Sequence, residues 1–235
     1  MGDGKGRHPI TVQPNRVRTE ALRDFAIVVA VLVIVKQSVL PFSQLFGGPA
    51  STFSAMIVAT WLLHRRGSSW SELGLTWPKS WLRTLGYTVL VFLAFLAAAA
   101  GLQAIAGLFF EDIGTSGRFD FLEGNLPGYL MMLALVWTHG SFFEELLFRA
   151  FIITKLDAGL GTTRATGYIA VILAAVFFGY RHFYYQGMHG AIVTGGIGLL
   201  FGLIYLKAGR SSILPLALAH GVINTIGQTN RFLGG

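Results

Sequence analysis

The sequence has no cysteine in its 235 residues and is poor in charged side chains, which make up 12% of the chain. The absence of cysteine excludes disulfides, thiolate zinc sites and cysteine nucleophiles. Hydrophobic residues account for 53% of the chain, and the mean hydropathy is +0.61. A soluble domain needs more polar side chains to cover its surface, so this composition predicts a protein embedded in a lipid bilayer.

The basic residues outnumber the acidic ones, and the formal net charge is +7. Most of them stand at the ends of apolar runs, where they anchor helices at a membrane surface, so nucleic acid is not an expected partner. Residues 1–23 are basic and are predicted to form a cytoplasmic tail. Residues 24–228 contain no Pro- or Ser-rich linker and are predicted to be a single transmembrane domain. The first apolar run has no small-residue cleavage site, which favours a retained helix over a signal peptide.

Seven apolar runs approach or exceed the length of about 20 residues that a helix needs to cross a bilayer. They are residues 24–45, 49–63, 81–109, 126–154, 164–183, 190–207 and 212–227. The third and fourth runs are long enough that tilt or an additional re-entrant piece stays open. The predicted fold is therefore an all-α, polytopic bundle of seven to eight transmembrane helices with a polar intramembrane cavity.

Basic residues also predict the orientation in the membrane. They cluster before the first run, between the second and third, and at the connections that follow the fourth and sixth, whereas the opposite loops are neutral or acidic. The positive-inside rule therefore predicts a cytoplasmic N-terminus and an external C-terminus. Arg181 is the exception, and we expect it at the membrane interface. The short basic N-terminus carries no organelle signal, which indicates a bacterial or archaeal cytoplasmic membrane.

Three ionisable residues, Glu144, Glu145 and Arg149, interrupt the fourth run. An ionised side chain at the bilayer centre costs about 2.5–3.5 kcal/mol, so these residues are predicted to face the protein interior. Glu145 and Arg149 are four residues apart on one helical face and are predicted to form a structural ion pair. Glu144 points about 100° away and lacks a counter-ion on its own helix, which suits it to act as a general base.

Further polar residues occur in later runs. His182 follows Phe178 by four residues near the end of the fifth run, and His220 and Asn224 lie one turn apart in the seventh. A carboxylate base, an imidazole that helps to hold a water molecule, and a His/Asn pair that donates to an oxyanion are the parts of a hydrolase. His139, five residues before Glu144, is a weaker candidate for the surroundings of the site.

These residues form three motifs that resemble those of the CAAX-protease and bacteriocin-processing (CPBP, or Abi) family of membrane proteins. In chain order the motifs are Glu144-Glu145 with Arg149, Phe178 with His182, and His220 with Asn224, so the resemblance covers residues 142–224. It implies that Glu144 activates water and that His182 assists it. It also implies that His220 and Asn224 donate to the oxyanion, while Glu145 and Arg149 hold the site together.

The predicted function is that of an intramembrane endopeptidase acting on a membrane-associated peptide or protein tail, lipidated or not. We expect a metal-independent mechanism without a cofactor. A zinc ion at Glu144, His182 and His220 is the alternative mechanism. A non-proteolytic scaffold, an immunity protein or a transporter that uses the same polar cavity is the alternative function. The sequence carries no prediction of the oligomeric state.

Overall fold

A computed structural model of the chain describes residues 14–114 and 117–234, and the described part is helical with no β-strand. Most of the predicted tail, residues 1–13, lies outside it. The α-helices are α1 (Pro14–Val39), α2 (Gln44–Arg65), α3 (Trp81–Gly107), α4 (Leu126–Trp137), α5 (Thr154–Leu160), α6 (Arg164–Lys207) and α7 (Leu214–Phe232). Two π-helical stretches, Thr138–Phe143 and Leu146–Ile153, join α4 to α5. The prediction of an all-α fold is confirmed.

Local capping explains where several helices begin. The hydroxyl groups of Ser43 and Ser80 accept hydrogen bonds from the backbone of the first turns of α2 and α3, and Thr163 forms a capping box at the start of α6. Because of the Ser43 cap, α2 starts before residue 49, where the apolar run was predicted to begin. Residues 14–23 already belong to α1, so part of the predicted tail is helical.

The long helix α6 is a hairpin of two antiparallel halves. The chain reverses at Gly187, whose φ of 63° and ψ of −165° are readily available only to glycine. The halves pack so closely that a Cβ atom on Gly179 would lie 2.4 Å from the carbonyl oxygen of Ala191, and one on Gly202 would lie 2.7 Å from Val171. The glycines of the second half are thus packing residues. The predicted fifth run ended at residue 183, whereas the helical half continues to the reversal and keeps His182 inside it.

The second π stretch, Leu146–Ile153, is the central element of the bundle because all eight of its residues are buried. It packs against α2, α5 and α6. Helix α3, by contrast, leaves most of its apolar side chains exposed, including Leu90, Leu93 and Leu96. Exposed apolar side chains on a long helix are what a lipid-facing surface requires.

Three helices, α2, α3 and α6, are long and apolar enough to cross a membrane. Each half of α6 holds about 20 residues or more, so each is long enough for one crossing. Together with the composition, these helices identify an integral membrane protein. The number of seven to eight crossings stays a prediction.

Several predicted cytoplasmic basic residues meet at one end of the bundle. Arg66 at the end of α2 and Lys155 in α5 both bind the buried carboxylate of Asp24 in α1, at 2.9 and 3.0 Å. At the same end, Ile213 donates to the carbonyl oxygen of Gly74. Gly74 has a φ of +90°, and a Cβ atom there would lie 2.7 Å from the Arg210 carbonyl oxygen. Residues 66–80, the tryptophan-rich segment between α2 and α3, are therefore held against the connection between α6 and α7.

Candidate active site

Glu144 and Glu145 lie between the two π stretches, at the point where the chain passes through the middle of the bundle. A π turn places side chains differently from an α turn and is frequent at functional sites. The first π stretch contacts α2 and α7, and the second contacts α6. Side chains from distant parts of the sequence can therefore reach the two glutamates.

Glu145 is fully buried and lies between two cationic or basic partners. Its Oε1 atom is 2.9 Å from His220 Nδ1 in α7, and its Oε2 atom is 3.1 Å from Arg149 Nε. The ion pair of Glu145 with Arg149, predicted from the four-residue spacing, is thus present. Arg149 Nε and Glu145 Oε2 are close, but they are not aligned for a hydrogen bond. The Arg149 guanidinium also lies 4.8 Å from the ring centroid of Phe178 and 5.6 Å from that of Phe201.

The contact with Glu145 determines which nitrogen of His220 carries hydrogen. An ionised carboxylate only accepts hydrogen bonds, so Nδ1 of His220 is the donor and Nε2 is left for another partner. The ring can donate from Nε2 only as an imidazolium. His220 therefore has the contact that an oxyanion donor or proton carrier requires.

Glu144 is 5% exposed and forms no ion pair or hydrogen bond with any residue that the structure describes. Among the titratable groups, His220 and Arg181 interact most strongly with its carboxyl group, followed by Glu145 and Arg149. The two adjacent glutamates thus differ in their surroundings, as the sequence predicted. Glu145 has two partners, whereas the Glu144 carboxyl group remains available to a water molecule or a substrate.

His182 is held by a hydrogen bond between its Nδ1 and the Phe178 carbonyl oxygen, at 2.8 Å. A carbonyl oxygen only accepts, so Nδ1 carries the hydrogen and Nε2 offers a lone pair. The imidazole also packs against Phe178, with ring centroids 4.7 Å apart. Phe178 therefore fixes both the orientation and the tautomer of the histidine that follows it by four residues. His220 is among the groups that interact electrostatically with His182.

Asn224, the other predicted donor, is partly committed to a different contact. Its Nδ2 atom donates to the Gly140 carbonyl oxygen in the first π stretch, at 2.8 Å. One of its two amide hydrogens is used there, and the other is left for a ligand. His139 interacts electrostatically with Arg181, His182 and His220, so it lies in the same region of the bundle.

A serine nucleophile at Ser141 and a metal site are two alternatives to a glutamate-activated water. Ser141 donates to backbone carbonyl oxygens of Val136 and Trp137, at 2.8 and 3.0 Å, so its hydroxyl group is committed to its own helix. Over residues 14–114 and 117–234 there is no group of three or more His, Asp or Glu residues arranged to hold a metal ion. His220 Nδ1 is also occupied by Glu145. Nε2 of that ring stays open, and a carboxylate on the other ring nitrogen is the usual second contact of a metal-bound histidine, so the zinc alternative stays a prediction.

Two buried cations, Arg181 and Lys36, have contacts that the sequence did not predict. Arg181 was expected at the interface, but it is 5% exposed and donates to Ser51 and Thr52 of α2, each at 3.2 Å. Arg181 thus faces the interior of the bundle, while its depth in the membrane stays a prediction. Lys36 was not singled out, yet it is also 5% exposed and donates to the Arg181 carbonyl oxygen. A lysine within an apolar run was the sequence feature that could have identified it.

The fold and the site define a class, a helical membrane protein with a buried cluster of glutamate, histidine and arginine side chains. The model of the family described as type II CAAX prenyl endopeptidase Rce1-like matches residues 126–226. The segment from α4 to α7 is thus similar to the Rce1-like family of CAAX proteases, and the resemblance to CPBP proteins is confirmed. No curated protein and no solved structure matches the chain significantly.

Proposed function

We propose that the protein is an intramembrane endopeptidase in which Glu144 activates a water molecule for attack on a peptide bond. The observation that carries the proposal is the contrast between Glu145, which has two partners, and Glu144, which is buried without one. The family description adds the expected substrate class, a membrane-associated protein tail that carries a prenyl group.

In this mechanism the Glu144 carboxylate removes a proton from water, and the water oxygen attacks the carbonyl carbon of the scissile bond. His182 accepts a hydrogen bond from that water through Nε2. The tetrahedral oxyanion receives hydrogen bonds from His220 Nε2 and from the unused amide hydrogen of Asn224. Glu144 then passes its proton to the leaving nitrogen as the carbon–nitrogen bond breaks. The products are a new carboxylate on the shortened chain and a released peptide with a free amine.

Glu145 and Arg149 act in this scheme through His220. The carboxylate keeps Nδ1 of the ring protonated and stabilises a positive charge on it, as the buried acid does in a catalytic triad. Arg149 balances part of the Glu145 charge and packs against Phe178, which positions His182. One buried ion pair thereby supports both histidines, although they come from different helices.

The test is replacement of Glu144 by glutamine, which keeps the size of the side chain and removes the base. The intact protein, purified in detergent, should cleave a fluorescence-quenched farnesylated CAAX peptide. The Glu144→Gln variant should lose at least about 100-fold in kcat, the lower range for a general base. Glu72→Gln is the matched control, because it changes an exposed carboxylate in the segment between α2 and α3. This variant should cleave normally.

The same variants separate the alternative proposals. A scaffold or transporter should tolerate Glu144→Gln in cells, whereas a protease should leave uncleaved membrane peptides that mass spectrometry detects against cells with the intact protein. Loss of cleavage on rigorous chelation, restored by one metal, would replace the metal-free mechanism with a zinc mechanism. Full activity of a folded Glu144→Gln protein would contradict the proposal.

A further inference from the structure

Three cationic side chains lie close to one another and near the proposed catalytic residues. Lys36 in α1 and Arg181 in α6 are each 5% exposed. Arg118, from the loop before α4, donates to the hydroxyl group of Tyr184 in α6, and the ring of Tyr184 also lies 3.8 Å from Lys36 Nζ. Electrostatic interactions link Lys36 with Arg181, Arg118 and Glu144. These residues therefore share one region, which we call the cation cluster.

The polar contacts of the cation cluster are with neutral groups. Lys36 donates to a backbone carbonyl oxygen, and Arg181 donates to the hydroxyl groups of Ser51 and Thr52. Arg181 Nη1 and Arg118 Nε are buried without a hydrogen-bond partner. In the part of the chain that the structure describes, no carboxylate forms an ion pair with any member of the cluster.

A buried cation is costly unless an anion is paired with it. Of the described residues, Glu144 is an acid that interacts with both Lys36 and Arg181, and one carboxylate cannot balance several positive charges and also act as the base. Glu145 and Asp157 are already paired with Arg149 and Arg210. The cluster thus has excess positive charge that a ligand could balance.

A small cavity lies at this position. It has a volume of about 120 Å³ and is bounded by Lys36, Gln37, Arg181 and Tyr184 together with apolar side chains of α1 and α6. A cavity of this size has room for a group of a few heavy atoms, such as a carboxylate, and not for a folded partner. Guanidinium and ammonium groups around such a space favour a small anion with two oxygen acceptors.

We propose that the cation cluster binds the free C-terminal carboxylate of the substrate and so sets where the chain is cut. This inference rests on the proposed function, because an endopeptidase that holds a chain terminus beside Glu144 cuts at a fixed distance from that terminus. Every peptide tail carries one such carboxylate, and its burial against Lys36 and Arg181 balances charge that the fold leaves unpaired. The water-activating residues and the terminus-binding residues are then adjacent parts of one site.

The experiment compares a farnesylated CAAX peptide as the free acid with the same peptide as the C-terminal amide. The intact protein should prefer the acid by at least about tenfold in kcat/KM, since a charge-assisted contact in a buried site is worth more than one factor of ten. In Lys36→Met and Arg181→Gln the ratio of acid to amide should approach one. Arg83→Gln, which removes an exposed cation, is the matched control and should keep the preference.

A second measurement does not depend on cleavage. The tripeptide acetyl-Val-Ile-Met, as acid or amide, is titrated into the Glu144→Gln protein by calorimetry, and only the acid should bind. If the intact protein cleaves both peptides equally well, this inference fails while the protease proposal stands. If it cleaves neither but the acid tripeptide binds through Lys36, the protease proposal fails and the carboxylate site stands. Lys36-dependent binding of glycerol phosphate without binding of the acid tripeptide would assign the cluster to lipid phosphate and overturn the inference.

Discussion

At the scale of single residues, the two adjacent glutamates show how a helix can give identical side chains different tasks. Glu145 points toward α7 and the second π stretch, where His220 and Arg149 bind its two oxygens. The Glu144 carboxyl group interacts most with His220 and Arg181 and forms no hydrogen bond or ion pair with either. The difference is one of direction around the helix. Because both residues are glutamates, the difference in their roles comes from the residues around them and not from their own side chains.

We predict that Glu145→Gln destabilises the protein because it leaves the buried Arg149 without an acid. Breaking a buried ion pair costs about 3–5 kcal/mol, and replacing both partners costs less. The double variant Glu145→Gln with Arg149→Met should therefore recover much of the lost stability, measured as the unfolding temperature in one detergent. Cleavage should stay at least about 100-fold below that of the intact protein in both variants, because His220 has lost its charged acceptor.

Arg83→Met serves as the control for this pair, since it removes a cation that is exposed. It should change neither the unfolding temperature nor the cleavage rate. Recovery of cleavage in the double variant would contradict the role assigned to Glu145, because it would show that His220 works without a neighbouring carboxylate.

The residues of the site could be predicted where their chemistry conflicts with an apolar run. Glu144, His182 and His220 stand out because polar side chains are costly in lipid. Lys36 met the same criterion but lies in a run without a recognisable motif. The place of Arg181 could not be derived, because it depends on where a helix ends, and the end of an apolar run only approximates that position. The contacts of Asn224 and His182 with backbone carbonyl oxygens require tertiary structure.

At the scale of helices, the closest packing in the molecule is inside α6. The reversal at Gly187 brings the Gly179 region against the Gly195 region, backbone to backbone. The second half carries Gly198 and Gly202 four residues apart, a spacing that favours close helix packing. The sequence did not predict the π stretches. A fully buried element has no alternation of apolar and polar faces, so its helical period cannot be recognised from the sequence. Those stretches bring Gly140 to Asn224 and Arg149 to Phe178.

We predict that Gly179→Ala lowers the unfolding temperature and slows cleavage. The new methyl group would lie 2.4 Å from a backbone oxygen, which cannot rotate away as a side chain can. Overpacking of this kind costs about 1–3 kcal/mol, and separation of the two halves would also move His182. Gly101→Ala is the matched control, because a Cβ atom there meets nothing within 4 Å and alanine favours a helix. An unfolding temperature for Gly179→Ala equal to that of Gly101→Ala would show that the halves are not packed this way.

At the scale of the whole molecule, several ion pairs gather at one end of the bundle. One end holds the Asp24 cluster with Arg66 and Lys155, and also the pair of Asp157 with Arg210. These ion pairs join α1, α2, α5 and the α6–α7 connection, so three predicted cytoplasmic basic residues, Arg66, Lys155 and Arg210, are brought to one face. Their common location agrees with the orientation predicted from sequence, while the side of the membrane on which they lie follows only from the positive-inside rule.

The absence of native cysteine makes the orientation directly testable with single-cysteine variants. Ser69 follows α2 at the basic end, and Asn230 lies near the end of α7; both are exposed. With a cytoplasmic N-terminus and an odd number of crossings, a membrane-impermeant maleimide should label Asn230→Cys in intact spheroplasts and Ser69→Cys only after permeabilisation. The cysteine-free protein is the control for background. Labelling of both positions from the same side would require an even number of crossings between them, and labelling of Ser69→Cys alone in intact spheroplasts would reverse the orientation and place the basic end outside.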